Sequence, residues 1–302
     1  MSRVLVTGAA GFIGRHTLGP LVATGHDVHA ISRGAAPADA PDAVTWHRAD
    51  LLDDPASAVA RIAPDRLLHL AWCTEHGRYW TSLDNLRWVE ATLALVRAFA
   101  GAGGRRAVLA GTCAEYDWAG SGPRAEGRTP LRPATLYGVA KHATHMLVEA
   151  AAGELGIDVA WGRIFFLYGP GEDERRLVAS VAGALARGER AATSAGTQRR
   201  DFLHVADVGG AFAALVDAEL RGAVNIASGE GRSLRSVIEQ IGRAAGREGL
   251  LDIGALPGRP GDPEELVAEV TRLREEVGFQ PRVPLADGLA ETAAWWRERA
   301  LA

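Results

Sequence analysis

The chain has 302 residues, 47% hydrophobic and 23% charged, with a formal net charge of -4. That length allows one large or two small globular domains, and with so small a net charge nothing suggests a bulk nucleic-acid or membrane surface. No apolar run approaches the ~20 residues of a membrane helix, and two cysteines, Cys73 and Cys113, form no disulfide framework. A cytoplasmic protein without nucleic-acid or membrane partners is expected.

The first element is a strand over Arg3–Thr7, whose Val4-Leu5-Val6 core reads as buried parallel sheet. Thr7-Gly8-Ala9-Ala10-Gly11-Phe12-Ile13-Gly14 follows, leading into a helical pattern that includes Phe12, Ile13, Leu18, Leu21 and Val22 and closes at Gly25. A glycine-rich strand-to-helix turn lets backbone approach a pyrophosphate, and the helix N-terminus adds free N–H groups. Gly8, Gly11, Phe12, Ile13 and Gly14 are therefore predicted to bind a dinucleotide.

Further strands are predicted at Asp27–Ile31, Val44–Arg48, Arg66–Ala71, Arg105–Ala110 and Asp158–Ile164, with helical patterns between them. One helix has a clear start, with Asp54 as cap and Pro55 in its first turn. Alternating strands and helices predict an α/β fold, a Rossmann-type doubly wound parallel sheet. The expected division is a dinucleotide-binding domain over 1–165, with a returning segment near 200–221. A smaller α/β substrate-binding domain would occupy mainly 166–302, where Gly and Pro cluster at Tyr168-Gly169-Pro170-Gly171 and Leu256-Pro257-Gly258-Arg259-Pro260-Gly261.

The second strand ends in Ser32-Arg33, where a NAD-binding fold places a carboxylate for the ribose 2′-OH. A hydroxyl and a guanidinium suit a 2′-phosphate instead, so NADP(H) is favoured and NAD(H) remains the alternative. Tyr137 and Lys141 stand one helical turn apart, after Pro130 and Pro133, of which Pro133 should block helix upstream. A free tyrosine, with a pKa of about 10, is a poor proton relay at neutral pH. A nearby ammonium and a cationic nicotinamide are expected to lower that value.

The T-G-x-x-G-x-x-G spacing with Y-x-x-x-K resembles the short-chain dehydrogenase/reductase superfamily. The form T-G-A-A-G-F-I-G resembles its extended branch, which acts mostly on nucleotide-linked sugars. The resemblance implies a catalytic hydroxyl in S/T-x-x-x-Y, matched by Thr112 and Tyr116, beside catalytic Tyr137 and Lys141. It implies an adenine-contacting pair, Asp50 and Leu51, and a strand-four end under the cofactor, matched at Leu70, Ala71 and Trp72. Tyr137 and Lys141 would also touch the cofactor. Thr74 and Thr112 would meet the sugar. Phe166 stands where many relatives have asparagine in R-x-x-N-x-Y-G-P. Arg200 in R-D-F-x-H-V-x-D and Arg259 in R-P-G-D would clamp the diphosphate.

Family 4,6-dehydratases carry two carboxylates directly after the catalytic hydroxyl; Cys113 and Ala114 occupy those places, so dehydration is not expected. Cys113 is open between an acid or base and a small buried side chain, and Glu115 between lining the pocket and capping a loop. The resemblance implies NADPH-dependent reduction of a nucleotide-linked 4-keto-6-deoxy sugar, supplying deoxysugar for a natural product or polysaccharide. The alternatives are an NAD-retaining nucleotide-sugar 4-epimerase, a small-ketone reductase and a non-catalytic dinucleotide sensor. A homodimer through helices near 80–100 and 134–155 is implied. The nine histidines show no metal-ligand spacing.

Overall fold

The computed structural model describes residues 1–301. In chain order its elements are β1 (Arg3–Thr7), α1 (Arg15–Ala23), β2 (Asp27–Ser32), β3 (Val44–Arg48), α2 (Pro55–Ile62), β4 (Arg66–His69) and α3 (Asp84–Gly101). Then follow β5 (Arg106–Thr112), α4 (Leu136–Leu155), β6 (Asp158–Ile164), β7 (Phe166–Tyr168), α5 (Leu177–Arg187), β8 (Ala191–Thr193), β9 (Arg199–His204) and α6 (Val205–Asp217). The chain ends with β10 (Gly222–Ile226), β11 (Gly231–Ser233), α7 (Leu234–Ala245), β12 (Leu251–Ile253), β13 (Glu265–Leu266), α8 (Thr271–Glu275) and α9 (Leu285–Leu301).

Seven parallel strands form the central sheet in the order β10-β6-β5-β4-β1-β2-β3. The order reverses at β1, so β1 and β4 flank the crevice where ligands of such sheets bind. Successive side chains of a strand face opposite layers. Val4 and Val6 therefore pack with Leu18 and Leu21 of α1 and Val208 and Phe212 of α6. Leu5 packs the other way, with Val59 of α2, Leu95 and Phe99 of α3 and Val148 of α4. Both sheet faces are covered, which is why the strands read as continuous apolar runs. A third cluster joins α5, α7 and α9 through Val181, Leu185, Val237, Ile241 and Leu289.

The boundaries show local chemistry at work. Asp54 caps α2 as the sequence predicts, its Oδ1 accepting from the Ala56 and Ser57 amides at 3.2 and 3.0 Å. The helix expected from Trp80 begins instead at Asp84: the Trp80 carbonyl accepts the Tyr137 amide, and Ser82 Oγ accepts the Asp84 amide. Phe12 and Ile13 lie in the turn before α1, not in the helix. Strand β4 stops at His69, short of the predicted Ala71, because the chain there passes over the glycine turn. Among the described residues, no helix is long and apolar enough to cross a membrane.

Candidate active site

Gly8 carries β1 into the turn with φ +68°, a region costly for residues with a Cβ. A Cβ there would lie 2.7 Å from the Ala71 amide nitrogen, and one on Gly14 would lie 2.1 Å from the Gly8 carbonyl oxygen. The glycines thus let the ends of β1 and β4 and the start of α1 close up together. Gly14 gives α1 no side-chain cap, and among the described residues the Phe12 and Ile13 amides donate to no backbone acceptor. An uncapped, partly open helix N-terminus at a sheet's switch point fits a dinucleotide pyrophosphate. Thr7 Oγ1 and His69 Nδ1 are hydrogen-bonded at 2.7 Å, and His69 Nε2 reaches Thr92 Oγ1 at 2.9 Å. Burial, then Lys141, pushes His69 down to about 3, so it stays neutral and ties β1, β4 and α3 together.

Along the crevice, Ser32 Oγ accepts the Gly34 amide at 3.1 Å, and Arg33 is exposed with no ion pair among the described residues. Asp50 Oδ1 accepts the Leu52 amide at 3.0 Å, while Leu51 is buried under the sheet edge. Leu70, Ala71 and Trp72 are half-buried beyond β4.

Thr112 ends β5 and caps the short turn 113–115. Its Oγ1 accepts the Ala114 amide at 3.2 Å, so the hydroxyl hydrogen remains available to another acceptor. Thr135 caps α4 through its Oγ1, which accepts the Gly138 amide at 3.1 Å. That cap aligns the first turn, and Tyr137 and Lys141 enter the protein on one buried face. Gly138 is required at this approach, since a Cβ would lie 2.5 Å from the Ala114 carbonyl oxygen.

Tyr137 sits in an aromatic box. Tyr79 and Trp80 meet it edge-on, with ring centroids at 4.9 and 5.7 Å, and Trp118 closes on Trp80 at 6.2 Å. Burial pushes the Tyr137 phenol well above its ordinary value, Tyr79 adds to this, and the Thr112 hydroxyl opposes it. The sequence led to the expectation of a value lowered by a nearby ammonium together with a cationic nicotinamide. In the structure Lys141 instead donates to the Ala110 carbonyl at 2.8 Å and lies over the Trp72 ring. Burial lowers Lys141 to about 7, with Glu115 opposing the shift.

Cys113 is buried and pushed up to about 12 by burial, which removes it as a ready acid or base. Glu115 caps the turn rather than facing a pocket, its carboxylate accepting the Thr112 amide.

Beyond β7, the two predicted clamps differ. Arg259 is exposed and unpaired among the described residues, as an anion ligand should be. Arg200 is buried, donates to Asp262 Oδ1 at 2.8 Å, and stacks over Phe166 at 5.4 Å. It is already neutralised, so it holds Asp262 and the Arg259 loop rather than presenting a free cation. Phe166 packs against Phe202 at 6.0 Å as part of the core margin. Thr74 is exposed in the loop after β4.

Arg176, which the sequence reading missed, is half-buried at the start of α5 with no ion pair among the described residues. Together with Arg259 it acts on both Tyr79 and His76, so both guanidiniums lie within electrostatic reach of the Tyr79 side chain. Its place in the Gly171-Glu172-Asp173-Glu174-Arg175-Arg176 run after Tyr168-Gly169-Pro170 was the available signal.

No metal-ligand spacing is visible in the sequence, yet the fold brings ligand atoms of Glu115, His142 and His145 within 4.8 Å of one another. Arg163 Nε already donates to that carboxylate at 3.0 Å. A cation bound there would face a guanidinium, so the cluster is an ion-pair network.

Residues 4–227 match the NAD dependent epimerase/dehydratase family. The chain belongs to that family. It is 31% identical to a UDP-glucose 4-epimerase of Streptomyces lividans, over 92% of this chain and 91% of the relative. It is 30% identical to a dTDP-4-dehydro-6-deoxy-D-allose reductase of Streptomyces bikiniensis, over 97% and 96%. The solved structure of MoeE5 in complex with UDP-glucose and NAD superposes with a TM-score of 0.85 at 32% identity, covering 99% of this chain and 100% of that one. This family enzyme therefore combines a dinucleotide-binding fold with relatives that act on nucleotide sugars.

Proposed function

We propose that the protein reduces a nucleotide-linked 4-keto-6-deoxy sugar with NADPH. The observation that carries this reading is the end of β2, where Ser32 and the exposed Arg33 stand in place of a carboxylate. An acidic side chain there would repel a 2′-phosphate, whereas a guanidinium binds it with charge-assisted hydrogen bonds. The nicotinamide, when bound, supplies the hydride. Gly8, Gly11, Phe12, Ile13 and Gly14 cradle the pyrophosphate, Asp50 and Leu51 border the adenine, and Leu70, Ala71 and Trp72 lie beneath the cofactor.

Tyr137 gives its proton to the oxygen that becomes a hydroxyl. Burial keeps the phenol protonated, the state from which a donor in the reductive direction starts. Thr112 donates to the same oxygen and orients it. Lys141 holds the cofactor side of the site, as an ammonium below about pH 7. Arg259 and Arg176 bind the diphosphate, Arg200 braces the Arg259 loop through Asp262, and Thr74 and Phe166 border the sugar and its approach. Residues 1–165, with the return near 200–221, form the dinucleotide domain in this reading, and 166–302 mainly the substrate domain. The enzyme works as a cytoplasmic homodimer, consistent with its free thiols.

A nucleotide-sugar 4-epimerase is the second reading, favoured by the Streptomyces lividans relative, a UDP-glucose 4-epimerase, and by the NAD bound with UDP-glucose in MoeE5. The same residues would serve, with the hydride returned to the opposite face. The deciding experiment identifies co-purified nucleotide by mass and follows NADPH and NADH oxidation with dTDP-4-keto-6-deoxyglucose and related sugars. Stoichiometric NADPH loss with a reduced product supports the reductase. Tightly bound NAD with no net oxidation, and interconversion of UDP-hexoses, establishes the epimerase.

A further inference from the structure

Glu115 is fully buried, yet it lies directly behind Thr112. One carboxylate oxygen, Oε1, accepts the Thr112 amide at 2.9 Å and the Trp161 indole N–H at 2.8 Å. The other, Oε2, accepts Arg163 Nε at 3.0 Å. Arg163 Nη1 in turn donates to Tyr116 Oη at 3.2 Å, and that hydroxyl donates to Asn225 Oδ1 at 2.8 Å. On the helix side, His145 stacks on Trp161 with ring centroids 4.9 Å apart. His145 stands one turn beyond Lys141 on α4, so the network links the strand end, the turn and the helix that carry Thr112, Tyr137 and Lys141.

The backbone is built around this pair. A Cβ on Gly111 would lie 2.1 Å from Trp161 Nε1 and 2.7 Å from Glu115 Oε1. The residue before Thr112 is thus a glycine because the Glu115–Trp161 hydrogen bond crosses beneath it. The ion pair by itself does not explain the arrangement: a buried ion pair repays its desolvation only with good geometry, and well-packed apolar replacements are often neutral or stabilising. What an apolar pair cannot supply is a directed acceptor for the Thr112 amide.

We propose that Glu115 is a positioning residue: through its buried pair with Arg163 it holds the end of β5 and the following turn so that the Thr112 hydroxyl faces Tyr137. It touches neither substrate nor cofactor, and the inference rests on the reading of Thr112, Tyr137 and Lys141 as the catalytic group. Arg163, Trp161 and Asn225 belong to the same brace.

The test is a double-mutant cycle between Thr112→Val and the apolar pair Glu115→Leu/Arg163→Met, with Glu115→Gln as the milder variant should the pair not fold. Turnover is measured on the nucleotide sugar identified as above, with melting temperature and NADPH affinity alongside. Glu115→Leu/Arg163→Met leaves the Thr112 amide and the Trp161 N–H without an acceptor, so its melting temperature should fall; assayed well below that temperature it should bind NADPH unchanged, yet lose kcat about ten-fold or more with KM within about three-fold. In the Thr112→Val background the same change should lower kcat by less than about two-fold. Wild-type kcat in the apolar pair, or losses that multiply independently of Thr112, overturns the inference. Tyr137→Phe separates the two levels: retained turnover there removes the catalytic reading itself, whereas its loss beside wild-type kcat in the apolar pair removes only the role of Glu115.

Discussion

Lys141 and Trp72 form a cation–π pair, with Nζ 3.8 Å above the indole ring. The ring is one of few groups favouring the ammonium in a buried setting that lowers Lys141 to about 7. If the ammonium is the working form, kcat/KM falls as pH rises through about 7, because that ratio reports the free enzyme's groups. Trp72→Leu removes an attraction of about 0.5–2 kcal/mol, so the alkaline limb should move down by about one pH unit. Stability runs the other way. Above about 7 the folded chain has released the Lys141 proton and the unfolded chain has not, so Lys141 adds stability with rising pH until its ordinary value near 10.5. Lys141→Met should flatten that rise in apoprotein melts between pH 7 and 10. An unchanged profile in both variants would show that Lys141 does not titrate in this window.

Cofactor choice is tested at the end of β2. Ser32→Asp with Arg33→Ala restores a carboxylate and removes the cation. Loss of charge-assisted bonds worth about 1.5–3 kcal/mol predicts a fall in NADPH efficiency of about ten- to one-hundred-fold, with NADH efficiency unchanged or improved. Steady-state kinetics with both cofactors check it. Equal use of both by the wild-type enzyme would return the choice to NAD.

Much of this fold was legible in the residues because the signals were local. Strand periodicity gave the same ends for β1 and β3, and Asp54-Pro55 marked the start of α2. The Tyr137–Lys141 spacing marked one helical face, and both side chains are buried on it. What escaped was set by tertiary contacts. Lys141 was expected to act on Tyr137, but the ammonium bonds to the Ala110 carbonyl across to β5. Arg200 looked like a free clamp, and only the return of the Arg259 loop shows its pairing with Asp262. The aromatic box around Tyr137 joins residues from three separated segments, 79–80, 118 and 137, and no periodicity connects them.

The arginines of the substrate half should separate into two behaviours. Arg259→Ala removes an exposed, unpaired cation, so it should raise KM for the nucleotide sugar about ten-fold and leave the melting temperature unchanged. Arg176→Ala should behave alike. Arg200→Ala strips Asp262 of its partner and Phe166 of its stacked neighbour, and should cost about 1–3 kcal/mol in stability as well. Titration of UDP or dTDP by calorimetry, alongside melting curves, reads both effects. Full nucleotide affinity in Arg259→Ala would remove it from the diphosphate site.

The exposed faces of α3 and α4 argue for a second copy of the chain. Leu83 and Leu86 are 72% and 51% exposed, and Val139 and Met146 are 48% and 55% exposed. The first two lie three residues apart at the start of α3; the latter two lie seven apart on one side of α4, so each pair shares a helix face. The helices pack against one another, and apolar side chains clustered on adjoining helices mark an interface more often than isolated ones do. Two copies related by a two-fold axis would bury these faces as a four-helix bundle. Leu86→Glu with Met146→Glu places like charges across that axis and should convert such a dimer to monomer in light scattering at micromolar concentration. Neither side chain reaches the sheet core, so the monomer should retain NADPH affinity. A wild-type particle that already runs as a monomer would remove the bundle from the proposal.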